Sequence, residues 1–305
     1  MLKSKKITLV KGGPGSEREV SLASARGVAE ALRQTGAEVM ELDVRDADFE
    51  LPAGTEIVFN VVHGTFGEDG QLQRALEARG IPYTGAGVRS SELAFDKAAS
   101  KRLFVAQQVP TAEYQIVRLP ALPADIRIPL PVCVKPPKEG SSVGVHLVTE
   151  AAQLAPALED CAQYGNEALV ETLITGKELT VGILDDQALP VIHIQPRSGF
   201  YDINNKYPWM STKGGTDYFC PADLPEATTR RVQEAALAAH RALGVEVYSR
   251  VDVLLDEDGC PFVLEVNTIP GMTASSLLPK AARAAGIEFP ELCLRILELS
   301  LALQR

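Results

Sequence analysis

The 305 residues, 46% hydrophobic and 23% charged with a net charge of −10, describe a globular chain too long for one compact core, so two or three packed domains with a cleft between them are expected. The acidic balance excludes broad binding to nucleic acid or anionic lipid, which requires a basic surface. Cys133, Cys161, Cys220, Cys260 and Cys293 are scattered without zinc-ligand or redox spacing and read as reduced thiols, and no apolar run reaches the length of about eighteen residues that a spanning helix needs, so a cytoplasmic location with no membrane partner is expected.

In chain order, residues 1–6 are basic, but only the short apolar run 7–10 follows before Lys11 and a glycine turn, which reads as a first strand rather than a signal peptide. Gly12-Gly13-Pro14-Gly15-Ser16 leads into a helix over 19–34, where apolar residues recur at helical spacing. Strands over 39–42 and 57–62 and a helix over 71–79 complete a parallel α/β unit. A second segment starts with a helix over 91–107 and continues with strands over 114–117, 132–135 and 144–148; Pro120, Pro123, Pro129 and Pro131 mark the loop before the second of these. A third alternates strands over 178–184, 189–194, 250–255 and 262–266 with a helix over 226–243, an α+β pattern. The resulting division is 1–88, 89–175 and 176–305.

The most informative cluster is Arg250-Val251-Asp252 with Glu265-Val266-Asn267 and Pro270-Gly271-Met272-Thr273. The two-residue period of a strand puts Glu265 and Asn267 on one face, and Asp252 lies on a neighbouring strand able to pair with it. Two carboxylates and an amide oxygen suit Mg²⁺, which takes nucleotide phosphates as further ligands; the alternative is a set of unconnected polar residues at strand ends.

Lys135 ends a strand and is followed by Glu139-Gly140-Ser141-Ser142-Val143-Gly144. Such a turn either presents backbone N–H groups to phosphate or merely joins two strands. It is not a Walker A sequence, and Gly12-Gly13-Pro14-Gly15 is no dinucleotide fingerprint. Glu17 stands at the carboxyl end of the first strand, where α/β sheets bind ligands; spacing alone favours a carboxylate placed by the helix amino terminus over one that holds a substrate ammonium. His63, at another strand end, is undecided by spacing.

Taken together, Gly12-Gly13 with Ser16-Glu17-Arg18-Glu19-Val20-Ser21, His63-Gly64 with Gly67-Glu68-Asp69-Gly70, Tyr83-Thr84-Gly85, Asp96-Lys97, Lys135-Pro136, the turn 139–144, Lys206-Tyr207, Arg250-Val251-Asp252 and 265–273 resemble, in order and over nearly the whole chain, the D-alanine:D-alanine ligases of the ATP-grasp superfamily. The resemblance implies an α/β and α+β ATP-grasp fold of three domains, an N-terminal parallel α/β substrate unit followed by central and C-terminal domains that grip ATP. It further implies ATP-dependent joining of two D-alanines through a D-alanyl phosphate for peptidoglycan precursors, with Mg²⁺ or Mn²⁺ as the metal and a homodimeric assembly.

Carried over by resemblance, Lys97 and Lys135 contact the nucleotide phosphates, Ser141 and Ser142 close over them, Lys206 swings to the γ-phosphate, and Glu171, Thr172, Leu173, Ile174 and Glu178 surround adenine and ribose. Thr172 stands where some relatives have lysine. Glu17 receives the ammonium of the first D-alanine and bonds with Ser141 and Tyr207, and His63 lies beside that substrate's carboxylate. Arg250 and the Gly271 N–H face the developing oxyanion, Ser276 and Leu277 hold the carboxylate of the second D-alanine, and Asp252, Glu265 and Asn267 hold the metal. The segment 200–219 is expected to be a lid. Lys206-Tyr207 resembles the dipeptide-forming subgroup and speaks against D-lactate or D-serine as second substrate; a non-catalytic ATP- or amino-acid-binding homologue and a nicotinamide-dependent oxidoreductase are the remaining alternatives.

Overall fold

A computed structural model of the chain describes residues 5–197 and 215–303. Strands β1 (Lys6–Gly12), β2 (Glu38–Val44) and β3 (Ile57–Asn60) form a parallel sheet in the order β2-β1-β3. Helix α1 (Arg18–Gln34) covers one face, burying Val20, Ala25, Val28 and Leu32 at helical spacing, and α2 (Gln71–Glu77) follows β3. Strand β3 stops at Asn60 rather than continuing to 62, because the Asn60 side-chain oxygen accepts the Val62 N–H at 2.8 Å. This asparagine turn carries the chain out of the sheet toward His63.

The helix expected over 91–107 is two helices, α3 (Val88–Phe95) and α4 (Lys97–Ala106), broken at Asp96, whose backbone is extended (φ −87°, ψ 96°). The Asp96 carboxylate accepts the Ala99 N–H at 3.0 Å, so local hydrogen bonding at an N-cap outcompetes continuation of the apolar pattern. The break sets Lys97 in the first turn of a new helix.

Strands β4 (Tyr114–Arg118), β5 (Val132–Lys135), β6 (His146–Val148) and β7 (Glu167–Thr172) make an antiparallel sheet ordered β4-β7-β5-β6, with α5 (Leu154–Cys161) packed against it. The central strand β7 has no counterpart among the strands expected from the sequence. The third sheet is antiparallel and runs β11-β10-β8-β12-β13, with β9 paired to β8. Its strands are β8 (Lys177–Leu184), β9 (Gln187–Ala188), β10 (Ile192–Pro196), β11 (Thr216–Phe219), β12 (Tyr248–Leu255) and β13 (Pro261–Asn267). Helix α6 (Glu226–Ala242) precedes β12, and α7 (Leu277–Ala284) and α8 (Phe289–Ala302) follow β13.

Packing does not follow chain order. Ala94 and Phe104 of α3 and α4 enter one core with β8, β12, β13 and α6. Leu292, Ile296 and Leu297 of α8 and Leu278 of α7 enter the core of α1 and β1. Each such side chain, fully buried, contributes on the order of 1.5–3 kcal/mol, so the chain's last helices bind the N-terminal sheet firmly to the third sheet. This docking brings the carboxyl ends of β1 and β3 against the segment that leaves β13.

Candidate active site

Strands β12 and β13 pair with Arg250 opposite Asn267 and Asp252 opposite Glu265. Asp252 is almost fully buried, and its carboxylate accepts from Thr180 Oγ1 at 2.6 Å and, in a fork, from Arg250 Nε at 2.9 Å and Nη2 at 2.8 Å. Glu265 faces the Lys97 ammonium at 3.1 Å, and Asn267 Oδ1 accepts the Ile269 N–H at 3.0 Å. Among the described residues no three His, Cys, Asp or Glu side chains cluster as metal ligands. The mixed donor set of two carboxylates and an amide oxygen remains, and its oxygen chemistry fits a hard divalent cation.

Lysines approach from the other side. Lys97 Nζ also donates to the Glu139 carbonyl at 2.7 Å. The ammonium groups of Lys135 and Lys101 both contact the buried Glu171 carboxylate, and Lys101 donates at 2.6 Å to Thr111 Oγ1, which donates to the Val263 carbonyl at 2.7 Å. Burial opposes the Glu171 charge, but the two lysines outweigh it and hold the carboxyl below its usual range. Burial draws Lys101 below the ordinary ammonium range, whereas for Lys135 the Glu171 charge overcomes burial and raises it. Lys101 went unrecognised in the sequence because a lysine inside a helix normally faces water.

Two cavities meet here. The larger, ≈ 770 Å³, lies between the second and third sheets and is lined by Lys135, Ser142, Glu171, Thr172, Leu173, Ile174, Glu178 and Asp252. The smaller, ≈ 450 Å³, is lined by Glu17, His63, Arg250, Asn267, Gly271, Ser276 and Leu277. Lys97, Glu139, Gly140, Ser141 and Glu265 line both. Lys206 and Tyr207 lie outside the described residues, as does most of 200–219.

The turn at the junction is strained. Ser141 and Ser142 adopt φ of +50° and +61°, a left-handed conformation that costs non-glycine residues on the order of 1–3 kcal/mol each. The Ser141 hydroxyl donates to Glu17 Oε1 at 2.5 Å. Glu17 makes no side-chain hydrogen bond to the start of α1; its carboxylate reaches the smaller cavity instead. Gly64 and Gly140 leave room for it, since a Cβ there would stand 2.7 Å and 3.1 Å from Glu17 Oε2.

His63 is buried, with Nδ1 2.8 Å from the Ile269 carbonyl and Nε2 3.0 Å from Ser24 Oγ. Burial alone would lower its pKa, but Glu68, 3.6 Å away, and Glu17 outweigh that and raise it. Burial raises the Glu68 carboxyl, with contact to His63 only partly offsetting the effect. Ser24 Oγ also accepts the Met272 N–H at 3.1 Å, and a Cβ on Gly27 would stand 3.1 Å from the Met272 carbonyl. Helix α1 therefore seats the segment 269–273 through Ser24 and Gly27, and no local sequence pattern marks either residue. A Cβ on Gly271 would stand 2.9 Å from Ser276 Oγ, so any larger residue here displaces the Ser276 hydroxyl.

A nucleotide-sized cleft between two antiparallel sheets, with lysines on one wall and carboxylates on the other, joined to a second cavity under a parallel α/β unit, defines an ATP-grasp protein. The model of the D-ala D-ala ligase C-terminus matches residues 104–298 and that of the N-terminus residues 41–86. A curated D-alanine–D-alanine ligase of Methylacidiphilum infernorum (isolate V4) is 49% identical over 298 residues, covering 96% of this chain and 95% of its own length. The crystal structure of the Bacillus anthracis D-alanine–D-alanine ligase complexed with ATP superposes with a TM-score of 0.85 at 32% identity, covering 98% of this chain and 97% of that one. VanG D-Ala:D-Ser ligase of Enterococcus faecalis gives 0.86 at 26% identity, covering 97% and 99%. The chain belongs to the D-alanine–D-alanine ligase family.

Proposed function

We propose that the protein is an ADP-forming ligase that joins two D-alanines through a D-alanyl phosphate. The observation that carries the reading is the meeting of the two cavities at Lys97, Glu265 and Ser141, which lets a carboxylate in the smaller one face a terminal phosphate in the larger. A carboxylate oxygen of the first D-alanine attacks the γ-phosphorus and ADP departs. The amine of the second D-alanine then adds to the acyl carbon, and phosphate leaves as the peptide bond forms.

Phosphoryl transfer develops charge on oxygen and needs no protein nucleophile. Lys97 and Lys135 supply positive charge, the Ser141-Ser142 turn offers backbone N–H groups, and the run 171–174 with Glu178 seats the nucleoside. Asp252, Glu265 and Asn267 would hold Mg²⁺, or Mn²⁺, which supplies charge neutralisation at the phosphates. Glu17, kept in place by Ser141, receives the first ammonium, and the raised pKa of His63 suits it to that substrate's carboxylate. Arg250 offers Asp252 two of the guanidinium's five N–H donors, and in this reading its guanidinium and the Gly271 N–H stabilise the oxyanion by about 3 kcal/mol per well-placed donor.

Lys206 and Tyr207 belong in this reading to a lid over 200–219 that excludes water from the acyl phosphate. The division at 88 and 175, a homodimer, a cytoplasmic location and a role in peptidoglycan precursor supply complete it. The test is phosphate release from ATP with D-alanine, L-alanine, D-serine and D-lactate, alone and in pairs, with product mass. D-alanyl-D-alanine is expected as the main product, and ATP left intact with D-alanine overturns the reading.

A further inference from the structure

Lys280 on α7 and Tyr218 on β11 close one end of the smaller cavity, beside Ser276 and Leu277. The Lys280 ammonium lies 4.7 Å from the centre of the Tyr218 ring. Of the other cations lining this cavity, Arg250 is paired with Asp252 and Lys97 with Glu265, whereas among the described residues no carboxylate lies within ion-pair distance of Lys280. Among the described residues, the Lys280 ammonium therefore lines this cavity without an ion-pair partner.

Position on the helix directs that charge. Ser276 is the N-cap residue just before α7, and the Lys280 N–H bonds to the Ser276 carbonyl at 3.0 Å, so the two lie on one face a turn apart. Side chains on a helix tilt toward its amino terminus, which leans the lysine back over Ser276. Its ammonium sits over the face of the Tyr218 ring, which holds the charge at that end of the cavity.

Resting on the ligase reading above, we propose that Lys280 is the counter-charge for the α-carboxylate of the second amino acid, a residue that sets acceptor affinity. It would act with Ser276 and the start of α7, and because a carboxylate is common to D-alanine, D-serine and D-lactate, it would set affinity without choosing among them. It would discriminate against an acceptor whose carboxylate is masked, such as D-alaninamide.

The experiment is steady-state kinetics of Lys280→Met and Lys280→Arg with D-alanine, and with D-alaninamide as acceptor. Losing a charge-assisted contact in a partly solvated site raises KM for the second D-alanine roughly tenfold in Lys280→Met, with kcat and the KM for ATP little changed. Lys280→Arg keeps KM near the parent's, and the preference for D-alanine over D-alaninamide shrinks only in Lys280→Met. An unaltered second KM in Lys280→Met or no recovery in Lys280→Arg overturns the assignment while the parent enzyme still makes dipeptide. Failure of the parent to make dipeptide overturns the ligase reading itself.

Discussion

Glu171→Gln is expected to cost far more stability than Lys101→Met, although the two substitutions break the same contact. Lys101, Lys135 and Glu171 are 0%, 7% and 2% exposed, and as ionised groups they sum to one positive charge. Removing the Lys101 charge leaves Lys135 and Glu171 as a balanced pair; removing the Glu171 charge leaves two ammonium groups facing each other in a site of low polarity. Breaking a buried pair costs about 3–5 kcal/mol, and Glu171→Gln belongs at the upper end of that range. Lys101→Met loses the hydrogen bond to Thr111 Oγ1, about 1–2 kcal/mol, and regains part of it because methionine fills the same space without a charge to desolvate. The lowered pKa of Lys101 beside the raised pKa of Lys135 points the same way. Urea unfolding followed by far-ultraviolet circular dichroism, with and without nucleotide, measures both costs. ATP brings negative charge to Lys135, which lines the larger cavity, so Glu171→Gln should recover more stability on adding it than Lys101→Met does. Equal losses, or a larger loss in Lys101→Met, would refute the charge-balance argument.

Gly27→Ala should improve the helix propensity of α1 by up to about 1 kcal/mol but press on the Met272 carbonyl, 3.1 Å from the new Cβ. A shift of the 269–273 segment by tenths of an ångström should lower kcat by roughly fivefold or more, and an unchanged kcat would show that this seating is unimportant. Burial lowers the pKa of His240 from 6.5 to about 4, so between those values the unfolded chain binds a proton that the folded chain refuses. Stability should therefore fall as pH drops through this window, by up to about 3 kcal/mol; a flatter slope is expected for His240→Asn, and identical slopes would remove His240 as the cause. Asp252→Asn should raise the Mg²⁺ concentration needed for half-maximal turnover at least about tenfold by weakening a hard oxygen ligand set, and an unchanged Mg²⁺ dependence would take Asp252 out of the metal site.

Short-range patterning makes much of this protein legible from its residues alone. The strand period places Glu265 and Asn267 on one face, and the β12–β13 register adds Asp252 directly opposite Glu265. The glycine turn after β1, the helix α1 and the alternation of the third segment also follow from spacings of two to four residues, over which propensity and amphipathicity act. Asp96 shows the limit: the apolar repeat runs through it, but its carboxylate caps a new helix, a competition of about 1 kcal/mol that periodicity does not register.

Tertiary structure decided which surfaces meet. Lys101 becomes part of the site because β7 delivers Glu171 against it, and Ser24 and Gly27 matter because α8 and the core beneath it bring 269–273 onto α1. Glu17 turns from its own helix to Ser141, 124 positions away. Side-chain identity and local period determine what each element is and which face it hides. The pairing of distant faces depends on summed burial over the whole chain, and for that reason Lys101, Ser24, Gly27 and Lys280 carry no mark in the sequence around them.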